Sequence, residues 1–153
     1  MLSQKTRYAL KALLLLAENE THGRGPVLIA SLARRGRIPQ KFLEAILLEL
    51  KNKGILISKK GKGGGYALGK SLEELKLSTI VRIMEGPLAL LPCVSQMAHK
   101  KCDECEDENT CGIKVVFKEV RDATADILDN TSLARVFGLE QQFKKNHEQV
   151  YHI

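Results

Sequence analysis

A lysine- and glycine-rich segment separates two short runs of strand-forming residues in the first half of the chain. The segment Lys59-Lys60-Gly61-Lys62-Gly63-Gly64-Gly65 follows the run 55–59 and leads into Tyr66-Ala67-Leu68. Because glycine adopts the backbone conformations that tight turns need, this pattern predicts a β-hairpin with a flexible basic tip. Its lysines are suited to binding DNA phosphates or entering a narrow minor groove. It does not predict a nucleotide-binding loop, because no Lys-Ser/Thr pair follows the glycines.

Three helices are predicted before this hairpin, and residues 71–85 after it are again expected to be helical, at least in their second half. The first is capped by Ser3 and runs to about Glu18, and the second spans about 27–35. The third begins at Pro39, a residue favoured at the first position of a helix, and ends near Lys53. A helix, a tight turn, a second helix and a basic hairpin, in this order, predict a winged helix-turn-helix module.

The third helix has a predicted apolar face and a predicted polar end. The apolar face is made of Phe42, Leu43, Ile46, Leu47 and Leu50. Gln40, Lys41 and Glu44 then point away from the core near the N-terminal end, where a recognition helix presents side chains to base edges. An ordinary amphipathic surface helix would show the same periodicity, so the basic hairpin that follows is needed to favour DNA recognition.

Charge is distributed unevenly along the chain. Residues 1–90 carry 16 Lys and Arg against 7 Asp and Glu, whereas residues 91–153 carry 8 against 11. A basic N-terminal part followed by a mildly acidic part is typical of a module that meets a polyanion joined to one with another task. No set of residues is arranged for hydrolysis, phosphoryl transfer or hydride transfer, so we do not expect an enzyme.

Four cysteines lie within 19 positions in a segment without helical periodicity, namely Cys93, Cys102, Cys105 and Cys111. The apolar run 12–17 is too short to span a membrane and lacks a signal-peptide cleavage pattern, so we expect a cytoplasmic protein without a membrane segment. Cysteines in that compartment bind metals or do redox chemistry more often than they form disulfides. Four thiolates suit an iron–sulfur cluster or a tetrahedral zinc ion, and their spacing does not separate the two.

A long helix is predicted after the cysteines. Its apolar positions repeat at helical spacing and are Ile113, Val116, Phe117, Val120, Thr124 and Ile127. A helix of this length, about 25 Å from residue 112 to 128, is suited to pairing two copies of the chain. A last helix would carry Leu133, Val136 and Phe137, and we expect the polar tail to Ile153 to fray. The expected fold is mainly α with a small β-hairpin, divided into a DNA-binding module 1–86, a cysteine loop 87–111 and a dimerisation region 112–153.

The order of these features resembles the winged-helix iron–sulfur regulators, a family that includes the cluster-biogenesis repressor IscR. The most specific matching stretch is Gly61-Lys62-Gly63-Gly64-Gly65-Tyr66-Ala67-Leu68, and the likeness covers nearly the whole chain up to about residue 135. Other matching stretches are Thr6-Arg7-Tyr8-Ala9-Leu10, the run 38–50, Gly54-Ile55-Leu56, Glu85-Gly86-Pro87-Leu88 and Cys111-Gly112-Ile113-Lys114.

The resemblance implies a homodimeric transcription regulator, a repressor by analogy, that binds an inverted-repeat operator in double-stranded DNA. Gln40, Lys41 and Glu44 would face bases, and the wing would approach the backbone or minor groove through Lys59, Lys60, Lys62, Gly63, Gly64 and Gly65. Iron, redox state or nitric oxide would be sensed through the cluster. The alternative is a clusterless or zinc-stabilised regulator controlled by a protein partner or by thiol oxidation.

The cysteine spacing departs from the family pattern of three cysteines and a variable fourth ligand. Cys105 and Cys111 fit the second and third positions, and Cys93 fits the first with a longer gap than usual. Cys102 would either replace Cys105 or serve as the fourth ligand. Lys114 stands where the biogenesis repressor has a histidine. The resemblance therefore implies either a [2Fe–2S] or a [4Fe–4S] cluster.

Overall fold

The computed structural model describes residues 2–150, and the side chains of residues 2–147. Its elements are α1 (Gln4–Thr21), α2 (Ile29–Gly36), α3 (Gln40–Asn52), β1 (Leu56–Lys59), β2 (Gly65–Leu68), α4 (Leu77–Glu85), a short 3₁₀ turn (Pro92–Val94), α5 (Gly112–Asp129) and α6 (Leu133–Val150). The two strands form an antiparallel hairpin. The predicted fold class, mainly helical with one small hairpin, is confirmed.

The helical core lies where α1, α2, α3 and α4 meet. α3 contributes Leu43, Ile46, Leu47 and Leu50, each at most 1% exposed, and α1 packs Leu13 against them. Phe42 was predicted to face this core, and that prediction is wrong because its side chain is 62% exposed. At about 100° per residue, Phe42 lies about 90° from the centre of the buried face formed by these four α3 residues, on the flank of the helix.

α4 occupies only the second half of the segment 71–85 in which helix was expected. It starts at Leu77 rather than at Ser71. The Ser71 N–H and hydroxyl donate to the Glu74 carboxylate at 3.0 and 2.8 Å, which closes a separate turn. Lys76 then adopts an extended conformation and bridges to Ser132, so the chain cannot continue as one helix.

The start of α6 is part of the N-terminal core. The Leu133 N–H donates to the Leu75 carbonyl at 2.7 Å, and the Leu133 side chain is fully buried. α6 continues to Val150, so the polar stretch expected to fray is helical, with an ion pair of 3.2 Å between Lys144 and Glu140. Residues 151–153 of the predicted tail lie outside the described residues. Within the described part of the chain, no helix is long and apolar enough to cross a membrane.

The end of α4 is tied to the start of α1 by a carboxylate. Glu85 accepts from the Ser3 N–H at 2.7 Å and from the hydroxyl of Thr6, which is fully buried. The hydrogen bonds from Thr6 and then Ser3 hold the pKa of Glu85 below its usual value. These bonds fix the end of α4 at the point where the chain leaves for the cysteine segment.

Replacing Glu85 with glutamine should destabilise the protein at neutral pH but not in acid. Because the folded pKa of Glu85 is lowered, its ionised form stabilises the fold above its unfolded pKa, and this contribution is lost as pH falls through the lowered folded pKa. Thermal unfolding of wild type and Glu85→Gln at pH 7 and near pH 3 checks this. A difference in melting temperature that stays constant between the two pH values would contradict it.

Candidate nucleic-acid interface and metal centre

The hairpin is anchored to the segment before α2. Ser58 pairs with Tyr66 and Lys59 with Gly65 across the two strands. Tyr66 also exchanges two backbone hydrogen bonds of 2.8 Å with Val27, so Val27 adds a bridge on the other side of β2. This third contact was not predicted from sequence, since a single residue in extended conformation leaves no periodic signal. It fixes the position of the wing relative to α2 and α3.

Two wing glycines are required by packing within the protein. A Cβ at Gly65 would lie 2.4 Å from the carbonyl atoms of Val27, and Gly65 has a φ of +137°. A Cβ at Gly64 would lie 2.4 Å from the Lys59 carbonyl oxygen, and Gly64 is buried. Gly63 is exposed, with open space around it. Of the three glycines proposed to approach DNA, Gly63 therefore has the freest surface.

The basic side chains of the wing extend into solvent. Lys59, Lys60 and Lys62 are all exposed, and they surround the turn closed by the 3.0 Å hydrogen bond from the Gly64 N–H to the Gly61 carbonyl. On α3, the side chains of Gln40, Lys41 and Glu44 are also exposed, and Gln40 donates to Glu44 at 3.2 Å. The structure thus places a polar helix end and a basic wing at the surface of one module.

All four cysteines line a single cavity of about 650 Å³. Cys93 belongs to the 3₁₀ turn, Cys102 and Cys105 to the loop, and Cys111 to the position before α5. Further lining residues include the cations Lys100, Lys101 and Lys114 and the anions Asp103, Glu104, Glu106, Asp107 and Glu108. The fold therefore brings together thiols that are up to 18 positions apart in the sequence.

The surroundings of Cys102 and Cys105 disfavour the ionised thiols and raise the pKa of each. Cys102 donates to the Glu104 carboxylate at 3.0 Å, and this hydrogen bond is the main cause of a raised Cys102 pKa. Partial burial raises the pKa of Cys105, as do the charge of Cys111 and a hydrogen bond with its side chain. Cys105 and Cys111 are thus close neighbours. A positive metal centre would favour both thiolates by the opposite effect.

The four cysteines carry the donor atoms that a metal centre needs, but their side chains are not arranged around a metal position. Four thiols on one cavity wall, with lysines beside them, match the soft ligands of an iron–sulfur cluster or zinc. Among the described residues, however, no three His, Cys, Asp or Glu side chains are gathered closely enough to hold a metal ion. The loop would therefore have to close around the group as it binds, so metal binding and the arrangement of the loop would be coupled.

Two arginines connect the cysteine segment to the rest of the fold. The Arg121 side chain, on α5, donates to the Val94 carbonyl in the 3₁₀ turn that contains Cys93. Arg82 on α4 pairs with Asp129 on α5 at 2.7 Å. Sequence analysis did not identify either contact, because an arginine on a helix gives no sign of a partner distant in sequence. α5 is thereby linked both to a cysteine turn and to the helix that ends the N-terminal module.

α5 presents an apolar stripe to solvent. The exposed fractions of Ile113, Val116, Val120 and Ile127 are 64%, 55%, 41% and 65%. Phe117 and Thr124, the other predicted positions, are half-buried. Exposed apolar stripes of this kind usually mark an interface with another molecule.

A helix-turn-helix followed by a basic hairpin defines this protein as a winged-helix DNA-binding protein. The chain belongs to the Rrf2 family: the family's sequence profile, described as an iron-dependent transcriptional regulator, matches residues 2–138. It is therefore a transcription regulator and not an enzyme.

Individual relatives agree with this assignment. The chain is 42% identical over 134 residues to an Rrf2-like HTH-type transcriptional regulator of Rhodobacter capsulatus, covering 87% of this chain and 89% of that protein. The structure of CymR, the global cysteine regulator of B. subtilis, superposes with a TM-score of 0.73 at 27% identity, covering 91% of this chain and 97% of CymR. T. potens IscR superposes with a TM-score of 0.70 at 26% identity, covering 90% and 86%.

Proposed function

We propose that this protein is a homodimeric repressor whose operator affinity depends on an iron–sulfur cluster held by Cys93, Cys102, Cys105 and Cys111. The observation that carries this proposal is the single cavity lined by all four thiols, located between the 3₁₀ turn and the start of α5. When bound, the cluster would supply a centre that iron shortage, oxidants or nitric oxide can change. These tasks would divide the chain into a DNA-binding region 1–86, a cluster region 87–111 and a dimerisation region 112–153, the last of which also contributes Leu133 to the N-terminal core.

Contacts within the protein would transmit a structural change from the cysteine cavity to the DNA-binding helices. Ordering the loop would fix the 3₁₀ turn, which Arg121 holds against α5. α5 in turn is paired with α4 through Arg82 and Asp129, and the exposed stripe of α5 is suited to packing against a second copy. A change in the loop would then alter the relative position of the two α3 helices, and operator affinity would change by the difference in binding between the two dimer shapes.

The composition of the protein purified without oxygen tests the identity of the centre. We expect broad visible charge-transfer absorption, with iron and acid-labile sulfide present in comparable amounts per monomer and little zinc. Stoichiometric zinc without sulfide would indicate that the site holds a structural zinc ion and not a cluster. A colourless protein that takes up neither iron nor zinc after anaerobic reconstitution would contradict any metal-based control.

The proposed DNA contacts of the wing give a prediction about salt. Removing the lysines at 60 and 62 from each protomer should make the slope of log affinity against log salt less steep by up to about 4 in a dimer, because fewer counterions are released. The measurement is operator binding by Lys60→Ala/Lys62→Ala across a salt series. The control is Lys11→Ala/Lys70→Ala, which removes the same charge from exposed positions on α1 and after β2. Equal slopes for both double variants would contradict wing–phosphate contact.

A second candidate function is a clusterless regulator controlled by thiol oxidation or by a protein partner. Two observations favour it: Cys105 and Cys111 are close neighbours, and no three ligand side chains among the described residues are already gathered around a metal position. In addition, an oxidised form of Staphylococcus aureus CymR is among the similar solved structures, at 30% identity and a TM-score of 0.68. Metal-free protein whose operator binding changes with thiol oxidation would support this candidate over the cluster.

A further inference from the structure

The outward face of α3 carries three exposed apolar residues among polar and charged ones. Phe42 is 62% exposed and Leu48 is 52% exposed, and Ala45 between them is exposed as well. These three residues are named here the apolar strip of α3. Large hydrophobic side chains left in water on a functional surface usually indicate a contact with another molecule.

Helical geometry places Ala45 and Leu48 in the middle of the outward surface of α3, beside Lys41, with Phe42 at the edge of that surface. The buried side of α3 is the mean direction of Leu43, Ile46, Leu47 and Leu50, and the opposite side at about 100° per residue holds Lys41, Ala45 and Leu48. Gln40 and Glu44 lie on one flank, where they are hydrogen-bonded to each other. Phe42 lies on the other flank, in the first turn. A helix inserted into a groove along this surface therefore meets bases with the apolar strip as well as with its polar end.

The electrostatic setting of the apolar strip favours DNA as its occupant. It belongs to the segment 1–90, which carries 16 Lys and Arg against 7 Asp and Glu, and Lys41 is exposed beside Phe42. A polyanion is attracted to such a surface. The group in the major groove that an apolar side chain recognises is the C5-methyl of thymine, which distinguishes thymine from cytosine.

We propose that Phe42, with Ala45 and Leu48 beside it, selects thymine in each operator half-site by packing against the C5-methyl group. This inference rests on the proposed role of α3 in operator reading and names a specificity-determining residue in it. Ala45 has a small side chain, which lets the helix approach the bases closely. Phe42 would recognise the shape and apolar surface of the methyl group. Gln40, Lys41 and Glu44 are proposed to contact the polar edges of bases.

Replacing thymine by deoxyuridine tests the proposal, because it removes the methyl group and leaves the base-pairing edge unchanged. The operator is first selected from random duplex DNA with the purified full-length protein. Each thymine of the selected half-site is then replaced in turn, symmetrically in both half-sites, and dissociation constants are measured. The proteins compared are wild type, Phe42→Ala and the control Leu2→Ala, which truncates an apolar side chain 45% exposed ahead of α1.

At one or two thymine positions, deoxyuridine should weaken wild-type binding about fourfold per half-site, the effect of one buried methyl group. Phe42→Ala should bind the thymine operator more weakly and lose this discrimination, and Leu2→Ala should keep it. Circular dichroism of Phe42→Ala checks that the fold is intact.

Three results would overturn the proposal in distinguishable ways. Tight wild-type binding that no uracil substitution changes would remove thymine reading but leave operator binding intact, and the apolar strip would then be a surface for a protein. Discrimination that persists unchanged in Phe42→Ala would assign methyl contact to another residue. Failure to select any DNA sequence would contradict the proposed operator-reading function itself, and this inference with it.

Discussion

Replacing Gly65 with alanine is expected to destabilise the protein by on the order of 3 kcal/mol and to abolish operator binding. The new Cβ would lie 2.4 Å from the Val27 carbonyl group, and the φ of +137° is a conformation that L residues rarely adopt. Relieving the overlap requires β2 to separate from Val27, which breaks the two 2.8 Å hydrogen bonds with Tyr66. The wing would then lose its fixed position beside α3. Thermal or denaturant unfolding and operator titration measure the two effects.

Gly23→Ala is the matched control for this prediction. Gly23 also has a positive φ, +64°, but no atom lies within 4 Å of the Cβ position. It should therefore show only the conformational cost, about 1 kcal/mol, with operator binding retained. Equal destabilisation by the two alanines would mean that the contact with Val27 contributes nothing to the stability of the wing.

Replacing Cys111 with serine is expected to remove control of DNA binding. Cys111 precedes α5 directly and neighbours Cys105, so its loss would disconnect the proposed metal centre from α5, the helix proposed to pair the protomers. The variant should contain little iron or sulfide, and the change in operator affinity with iron supply, of about 5- to 150-fold for typical allosteric coupling, should disappear. Iron analysis and operator titration at fixed salt measure this.

Thr110→Ala provides the comparison for this experiment, because Thr110 lines the same cavity and has no thiol. It should retain iron, sulfide and the response. A Cys111→Ser protein that still changes its operator affinity with iron supply would contradict a role for Cys111 in control. Loss of an oxidant response in a protein that never contained iron would instead support the thiol-based candidate.

The features that were predictable from sequence are those with a local signal. The apolar periodicity of α1, α3 and α5 depends on residues three or four positions apart, and the wing depends on consecutive glycines and lysines. Phe42 was misplaced because an aromatic residue adjacent to an apolar face matches the pattern within the tolerance of a helical wheel. Its exposure is determined by which other helices pack against α3.

The features that were not predictable depend on pairs distant in sequence. The Val27–Tyr66 bridge, the Arg121–Val94 contact and the insertion of Leu133 into the N-terminal core each join residues 27 or more positions apart. The later start of α4 has the same origin, since Lys76 is held extended by Ser132. The cysteine site was only partly predictable. Spacing identified the thiols, whereas their common cavity follows from the way the loop folds back between the 3₁₀ turn and α5.

The most direct test of cluster-controlled DNA binding is the operator dissociation constant of one anaerobic preparation before and after removal of its iron and sulfide. Both titrations use the same salt concentration and the operator selected by the protein, and iron and sulfide are quantified in each sample. Cluster control predicts at least about a fivefold difference between the two constants, restored on reconstitution and absent in Cys111→Ser. Identical constants for the loaded and the iron-free wild-type protein would contradict it.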